Sequence, residues 1–152
     1  MRRSFQIGAS ILAACLLIVG FSATSGHADV PDDAKAIQGT WTPMAAELAG
    51  EPMADAVLKT IILKLDSGKY EASVAGKIDK GTCTLDPTTK PKSLTIQGTD
   101  GPNAGKTYPC IYELDGDKLR VCYDLSGQKA PADFSTAKGT LLYLVTYARK
   151  KD

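Results

Sequence analysis

Histidine is nearly missing from this chain, with one copy, His27, in 152 residues. That copy lies in an N-terminal segment with the features of an export signal: Arg2 and Arg3 precede the apolar run IGASILAACLLIVGF, and the small residues of GHA allow cleavage after Ala28. Cleavage there leaves a domain without histidine, the commonest general base near neutral pH and the commonest metal ligand. This excludes Ser-His-Asp and Cys-His catalysis, His-ligated zinc and His-held haem, so we expect no enzyme.

Long hydrophobic runs are also absent beyond that first segment. Its apolar run of about 15 residues is shorter than the ~20 that span a bilayer, so we predict a signal peptide over residues 1–28, export to the periplasm or medium, and no retained membrane span. An alternative is the sequence LAAC, which resembles a lipoprotein box and would make Cys15 a lipid anchor. Because LLIVGF follows Cys15, whereas a lipidated Cys usually ends the apolar region, cleavage after Ala28 is favoured.

Neither charge sign is in excess, and cysteine is scarce. Without Arg2 and Arg3 the chain has 16 basic and 17 acidic residues, a net charge of −1, so no basic field for nucleic acid is expected. Three cysteines remain, Cys83, Cys110 and Cys122, an odd number for an exported protein. No CxxC pair is present, and we expect neither a metal site nor a cofactor.

What the sequence does contain is a series of short β-type segments, separated by turn signals at intervals of about 8 to 12 residues. This spacing predicts an all-β fold: a small up-and-down antiparallel β-barrel of about eight strands. A flexible polar leader is expected over 29–36 and the barrel domain over 37–150, with one short helix within 52–60. The predicted strands are 39–48, 60–66, 69–75, 78–85, 93–98, 106–114, 118–124 and 140–148.

The turn DGDK predicts a hairpin in which Leu114 faces Leu119. Since side chains alternate along a strand, this register places Cys110 and Cys122 on opposite faces of the sheet, where no disulfide can join them. Cys83 is expected one strand farther away, so a bridge to Cys110 is not expected either.

The start and the end of the predicted barrel carry a recognisable pair of motifs. Gly39-Thr40-Trp41 opens the first strand and Arg149 follows the last one, which resembles the Gly-x-Trp and closing Arg of the lipocalin-like barrels. The resemblance implies that Gly39, Trp41 and Arg149 form the floor of the barrel, with the guanidinium stacked on the indole. Such a cation–π contact contributes about 0.5 to 2 kcal/mol.

More closely, residues 37–150 resemble a family of exported lipocalin-like bacterial domains known as the planctomycete uncharacterised domain. The resemblance implies the barrel fold and no particular activity. Cys83 and Cys110 depart from the family pattern, whereas VCYDL fits it. The motifs that carry the resemblance are QGTW, AELAGEPM, GKYEASVAGKIDKGTCTLDPTTKPKSLTI, GPNAGKT, IYELDGDKLRVCYDL and LYLVTYAR.

The predicted hairpin also groups aromatic and aliphatic side chains on one face. We expect this face to form the wall of a cavity for a small apolar or amphipathic ligand. The alternative is that the same side chains fill the barrel, which would then be a structural or protein-interaction module of the cell envelope, because an eight-stranded barrel can be either filled or hollow. The candidate wall consists of Tyr108, Tyr112, Leu114, Leu119, Val121 and Tyr123.

Overall fold

The computed structural model describes residues 32–151. The predicted signal peptide and the lipidation candidate Cys15 lie outside the described residues. The described part consists of nine strands and two short helices. In chain order these are α1 (Asp33–Ala36), β1 (Gly39–Leu48), β2 (Glu51–Pro52), α2 (Asp55–Leu58), β3 (Ile61–Asp66), β4 (Lys69–Val74), β5 (Lys77–Asp86), β6 (Ser93–Asp100), β7 (Thr107–Asp115), β8 (Lys118–Asp124) and β9 (Leu142–Arg149).

The sheet is a closed antiparallel barrel of eight strands. From β3 to β9 each strand pairs with its successor, and β1 pairs with both β3 and β9, which closes the ring. The two-residue strand β2 pairs only with the end of β1. The prediction of an all-β, up-and-down barrel is therefore confirmed, with one more short helix than expected.

The extra helix, α1, lies in the segment that was predicted to be a flexible leader, residues 29–36. Residues 33–36 of that segment form a helix, and its Asp33 is buried with the carboxylate paired to Lys92. A polar sequence next to a domain favours a leader, but here a partner 59 residues away holds the helix. Residues 29–31 lie outside the described residues.

Alternation of apolar and polar residues determines which side chains enter the barrel. In β3 the residues alternate strictly between buried and exposed, with Ile61, Leu63 and Leu65 pointing inward. Tight turns join β3 to β4, β4 to β5 and β7 to β8. The β7–β8 register pairs Leu114 with Leu119, as predicted.

The same register confirms that two of the cysteines lie on opposite faces. Cys110 faces Tyr123 across the hairpin and Cys122 faces Ile111. Cys83, Cys110 and Cys122 are all free thiols and all buried.

One surface of the barrel is covered by the segment that joins β8 to β9, which we call the outer loop (residues 125–141). Cys122 points outward and is buried beneath this loop, with its Sγ 3.8 Å from the carbonyl oxygen of Ser135. The guanidinium of Arg120 lies 4.1 Å from the centre of the Phe134 ring. The loop therefore explains why Cys122, an outward-facing residue of β8, is buried.

The core of the barrel is concentrated at the end where β1 begins and β9 ends, which we call the closed end. Trp41, Tyr112 and Leu119 are almost completely buried there, and Val121 and Val145 continue the packing toward the middle of the barrel. No helix within residues 32–151 has the length and apolar character needed to cross a membrane.

Candidate functional site

The closed end is sealed by the motif residues of β1 and β9. The guanidinium carbon of Arg149 lies 4.2 Å from the centre of the Trp41 ring, and Arg149 Nη2 donates to the carbonyl oxygen of Ala36 at 2.6 Å. The Trp41 indole Nε1 donates to the carbonyl oxygen of Ile37 at 2.9 Å. Gly39 adopts φ +135°, and a Cβ there would lie 2.7 Å from Arg149 Nη1. Gly39, Trp41 and Arg149 thus meet at the floor.

A buried ion pair joins helix α1 to the same end. Asp33 Oδ2 accepts hydrogen bonds from Lys92 Nζ and from the Tyr112 hydroxyl, each at 2.7 Å. Burial by itself would raise the pKa of Asp33, but the hydrogen bonds from Lys92 and Tyr112 outweigh it and hold this pKa below the ordinary value of 3.8. The Tyr112 hydroxyl is therefore engaged with helix α1 at the floor.

The opposite end of the barrel, where α2 and the outer loop lie, contains a cavity of about 170 Å³ that opens to solvent. We call it the open-end cavity. Its wall is mostly aromatic and aliphatic, with two polar side chains, Asp79 and Asn103. The aromatic residues of the wall are Tyr70, Tyr108, Tyr123, Tyr143 and Tyr147. The aliphatic ones are Ile61, Leu63, Ala72, Val74, Ile96 and Leu125.

A hydrogen-bond network crosses one side of this cavity. The carboxylate of Asp79 accepts from the Tyr70 hydroxyl at 2.8 Å, and from the backbone N and the Nδ2 of Asn103 at 2.9 Å each. The side-chain oxygen of Asn103 accepts in turn from the Tyr108 hydroxyl at 2.9 Å. The network therefore links β4, β5, β7 and the β6–β7 connection around one carboxylate.

The backbone that places Asn103 depends on a glycine. The β6–β7 connection folds back onto the end of β6 through two backbone hydrogen bonds of Gly98. Gly98 N donates to the carbonyl oxygen of Lys106 at 2.9 Å, and the carbonyl oxygen of Gly98 accepts from Gly105 N at 3.0 Å. A Cβ on Gly98 would collide with the carbonyl oxygen of Asn103. Only glycine allows this close approach, which turns Asn103 toward Asp79.

The other side of the cavity is formed by tyrosines of β8 and β9. The rings of Tyr123 and Tyr143 stack with centroids 5.5 Å apart, and the hydroxyl oxygens of Tyr123 and Tyr147 are 3.1 Å apart and share a hydrogen bond. Burial raises the pKa of Tyr143 to about 12 and also raises the pKa of Tyr123 and of Tyr147. These phenols are therefore neutral at physiological pH and can donate or accept hydrogen bonds.

Two of the six residues predicted to form the cavity wall do line it, Tyr108 and Tyr123. The structure places the other four away from the open-end cavity, among the large side chains that pack against one another toward the closed end. There Tyr112 and Leu119 are fully buried in the core. The four residues outside the cavity are Tyr112, Leu114, Leu119 and Val121.

Sequence reasoning missed Asp79, Asn103 and three of the tyrosines. Strand alternation carried a signal for Asp79, since it shares the inward phase of β5 with Gly81 and Cys83. A charged residue on the inward phase of a barrel strand is unusual and marks a polar site in the interior. Asn103 had no such signal, because its position depends on how the β6–β7 connection folds.

Within residues 32–151 no group of three or more His, Cys, Asp or Glu side chains is arranged to hold a metal ion. No protein-family model matches the chain, and neither does any curated protein or solved structure. The open-end cavity is therefore the feature of the structure that bears on function.

Proposed function

We propose that this chain is an exported, non-enzymatic, lipocalin-like barrel of the planctomycete uncharacterised domain family, and that it binds one small amphipathic molecule. The observation that carries the binding proposal is the open-end cavity, which combines an apolar wall with a few convergent polar groups. Binding sites for small molecules have this composition, since apolar contacts supply affinity and a few polar groups fix orientation.

The volume of the cavity limits the size of the ligand. A dry protein cavity of about 150 Å³ accommodates benzene. The open-end cavity, at about 170 Å³, therefore has room for one ring with a short substituent. A larger ligand would have to extend from the mouth into solvent.

The chemistry of the described residues supports binding rather than catalysis. Histidine is absent from residues 32–151, and burial raises the pKa of the Cys83 thiol to about 11. A thiol with such a pKa is protonated at neutral pH and is a poor nucleophile. The tyrosine hydroxyls and the Asp79 carboxylate are suited to orienting a bound molecule.

The binding proposal predicts that filling the cavity abolishes binding. Ala72 lines the cavity, and its neighbour Ser73 points to the outside of the same strand. In a titration with benzyl alcohol followed by NMR, we expect the amide signals around Tyr108 and Tyr123 to shift in the wild-type protein. Ala72→Leu should lose these shifts, because the new side chain occupies the ligand's volume, whereas the control Ser73→Leu should keep them.

Absence of shifts at the cavity in the wild-type protein would contradict the proposal and support the alternative, a filled barrel that acts as a structural or protein-interaction module of the envelope. The solid packing at the closed end favours that alternative as the second candidate.

Export and anchoring are tested by the mass of the protein made in an exporting bacterium. A denatured mass that corresponds to a chain starting at Asp29 would support cleavage after Ala28. A mass that includes acyl chains on Cys15 would instead show a membrane-anchored lipoprotein.

A further inference from the structure

Three carboxylates of the described residues are buried, those of Asp33, Asp79 and Asp124. A buried carboxylate is costly unless a cation or enough hydrogen-bond donors surround it. The three can therefore be compared by what surrounds each of them.

Two of these carboxylates each have one of these forms of stabilisation: Asp33 has a cation beside it, and Asp124 has a full set of hydrogen-bond donors. Asp33 forms an ion pair with Lys92 and accepts the Tyr112 hydroxyl. Asp124 accepts four hydrogen bonds from the start of the outer loop, two from Ser126 and one each from the backbone N of Gln128 and of Lys129. Four donors fill the four acceptor places of a carboxylate.

Asp79 differs from both. It is only 8% exposed, yet it accepts three hydrogen bonds, which leaves one acceptor place unfilled. None of the ion pairs formed within residues 32–151 includes it. Among the described residues that line the open-end cavity it is also the only charged one. The cavity wall thus carries one negative charge without a protein counter-ion.

We propose that the open-end cavity is a site for a small organic cation, a primary amine with a single ring, whose ammonium group binds Asp79. This inference rests on the proposed function and specifies the class of ligand. The ammonium group supplies both the missing donor and the missing positive charge. The ring of the ligand lies among the tyrosines of β7, β8 and β9.

The tyrosines strengthen the preference for a cation. The negative face of an aromatic ring attracts an ammonium group, and the attraction grows when both are removed from water. Because none of the cavity-lining residues within 32–151 is Lys or Arg, no basic side chain among them competes for Asp79 or repels a cationic ligand. An anionic ligand of equal size would be repelled by Asp79.

The inference is tested by calorimetric titration of the exported protein with three ligands of nearly equal size: benzylamine, benzyl alcohol and phenylacetate. We expect benzylamine to bind at least about tenfold more tightly than benzyl alcohol, and phenylacetate to bind not at all. Asp79→Asn should reduce the affinity for benzylamine to that for benzyl alcohol. The control Asp55→Asn removes an equal charge at an exposed position of helix α2 and should leave the tenfold preference intact.

The three ligands separate the two proposals without relying on a variant. Equal binding of benzylamine and benzyl alcohol by the wild-type protein would overturn the cation site and leave the proposed binding function standing. Failure of both to bind would overturn both proposals. If Asp79→Asn does not fold, the comparison of benzylamine with benzyl alcohol in the wild-type protein decides by itself.

Discussion

Arg149 holds the closed end together through several contacts of one side chain. Its guanidinium stacks on Trp41, donates to the carbonyl oxygens of Ala36 and Gln38, and pairs with Asp117 at 2.9 Å. A planar guanidinium can stack and donate at the same time, which an ammonium group cannot do. The side chain therefore connects both ends of the barrel domain's sequence at one point.

We expect Arg149→Ala to lower the free energy of unfolding by about 2 to 4 kcal/mol, because it removes a cation–π contact and leaves two carbonyl groups without their charged donor. Arg149→Lys should lower the free energy of unfolding by an intermediate amount. The matched control is Lys151→Ala, since Lys151 is 83% exposed and its contact with Asp117 is long, 3.8 Å. Urea denaturation measures all three, and a loss for Arg149→Ala as small as that for Lys151→Ala would contradict the role of Arg149.

Asp33 makes a pH-dependent contribution to stability. Its pKa is lower in the folded protein than its ordinary value of 3.8, because hydrogen bonds from Lys92 and Tyr112 outweigh the effect of burial. Stability from this group is therefore present above the unfolded pKa and is lost as pH falls through the folded pKa. Asp33→Asn should lower the free energy of unfolding by about 1 to 3 kcal/mol at neutral pH. The difference in this free energy between the variant and the wild type should shrink below pH 3.8.

The control for this experiment is Asp32→Asn. Asp32 is exposed and caps helix α1, a role that Asn performs equally well, so its substitution should change stability little at any pH. A cost for Asp33→Asn that stays constant from neutral to acid pH would contradict the ion pair with Lys92.

At the scale of an element, the outer loop depends on the residue that precedes it. All four hydrogen bonds to Asp124 come from residues 126–129, and they outweigh burial to lower the pKa of Asp124 below its ordinary value. The carboxylate thus folds the beginning of the loop back onto the barrel. Cys122 is buried beneath the loop's later part.

Asp124→Ala is expected to lower the free energy of unfolding by about 2 to 4 kcal/mol and to loosen the loop, since four donors lose their acceptor. Cys122 should then react faster with iodoacetamide, whereas Cys83 and Cys110, inside the barrel, should stay protected. Peptide mass spectrometry after brief labelling measures each thiol. The control is Lys138→Ala, which removes an exposed charge from the same loop. Equal labelling of Cys122 in both variants would contradict the role of Asp124.

Strands were the elements that the sequence predicted best, because alternation and turns are local properties. The bounds of β1 and β8 agree with the prediction, and β4 ends one residue early because Ala75, with φ +49°, belongs to the turn. Helix α1 was not predicted, because an ion pair distant in sequence holds it. Motif resemblance pointed to Trp41 and Arg149, which the structure brings into contact.

At the scale of the whole molecule, the barrel has two unlike halves. The closed end is filled by large side chains, whereas small residues such as Ala72 leave space at the open end. Strand alternation predicts that a residue points inward but not how far along the axis the interior is filled. For this reason the predicted wall combined residues of both halves: Tyr108 and Tyr123 line the open-end cavity, whereas Tyr112 and Leu119 are buried toward the closed end.

The distribution of aromatic residues between these halves separates two optical signals. The single tryptophan of the chain is buried at the closed end, whereas five of its six tyrosines line the cavity at the open end. Selective excitation of the indole therefore reports on the integrity of the floor, and tyrosine absorbance reports on what occupies the cavity. The unmodified protein can thus be followed through unfolding and through ligand uptake without any attached dye.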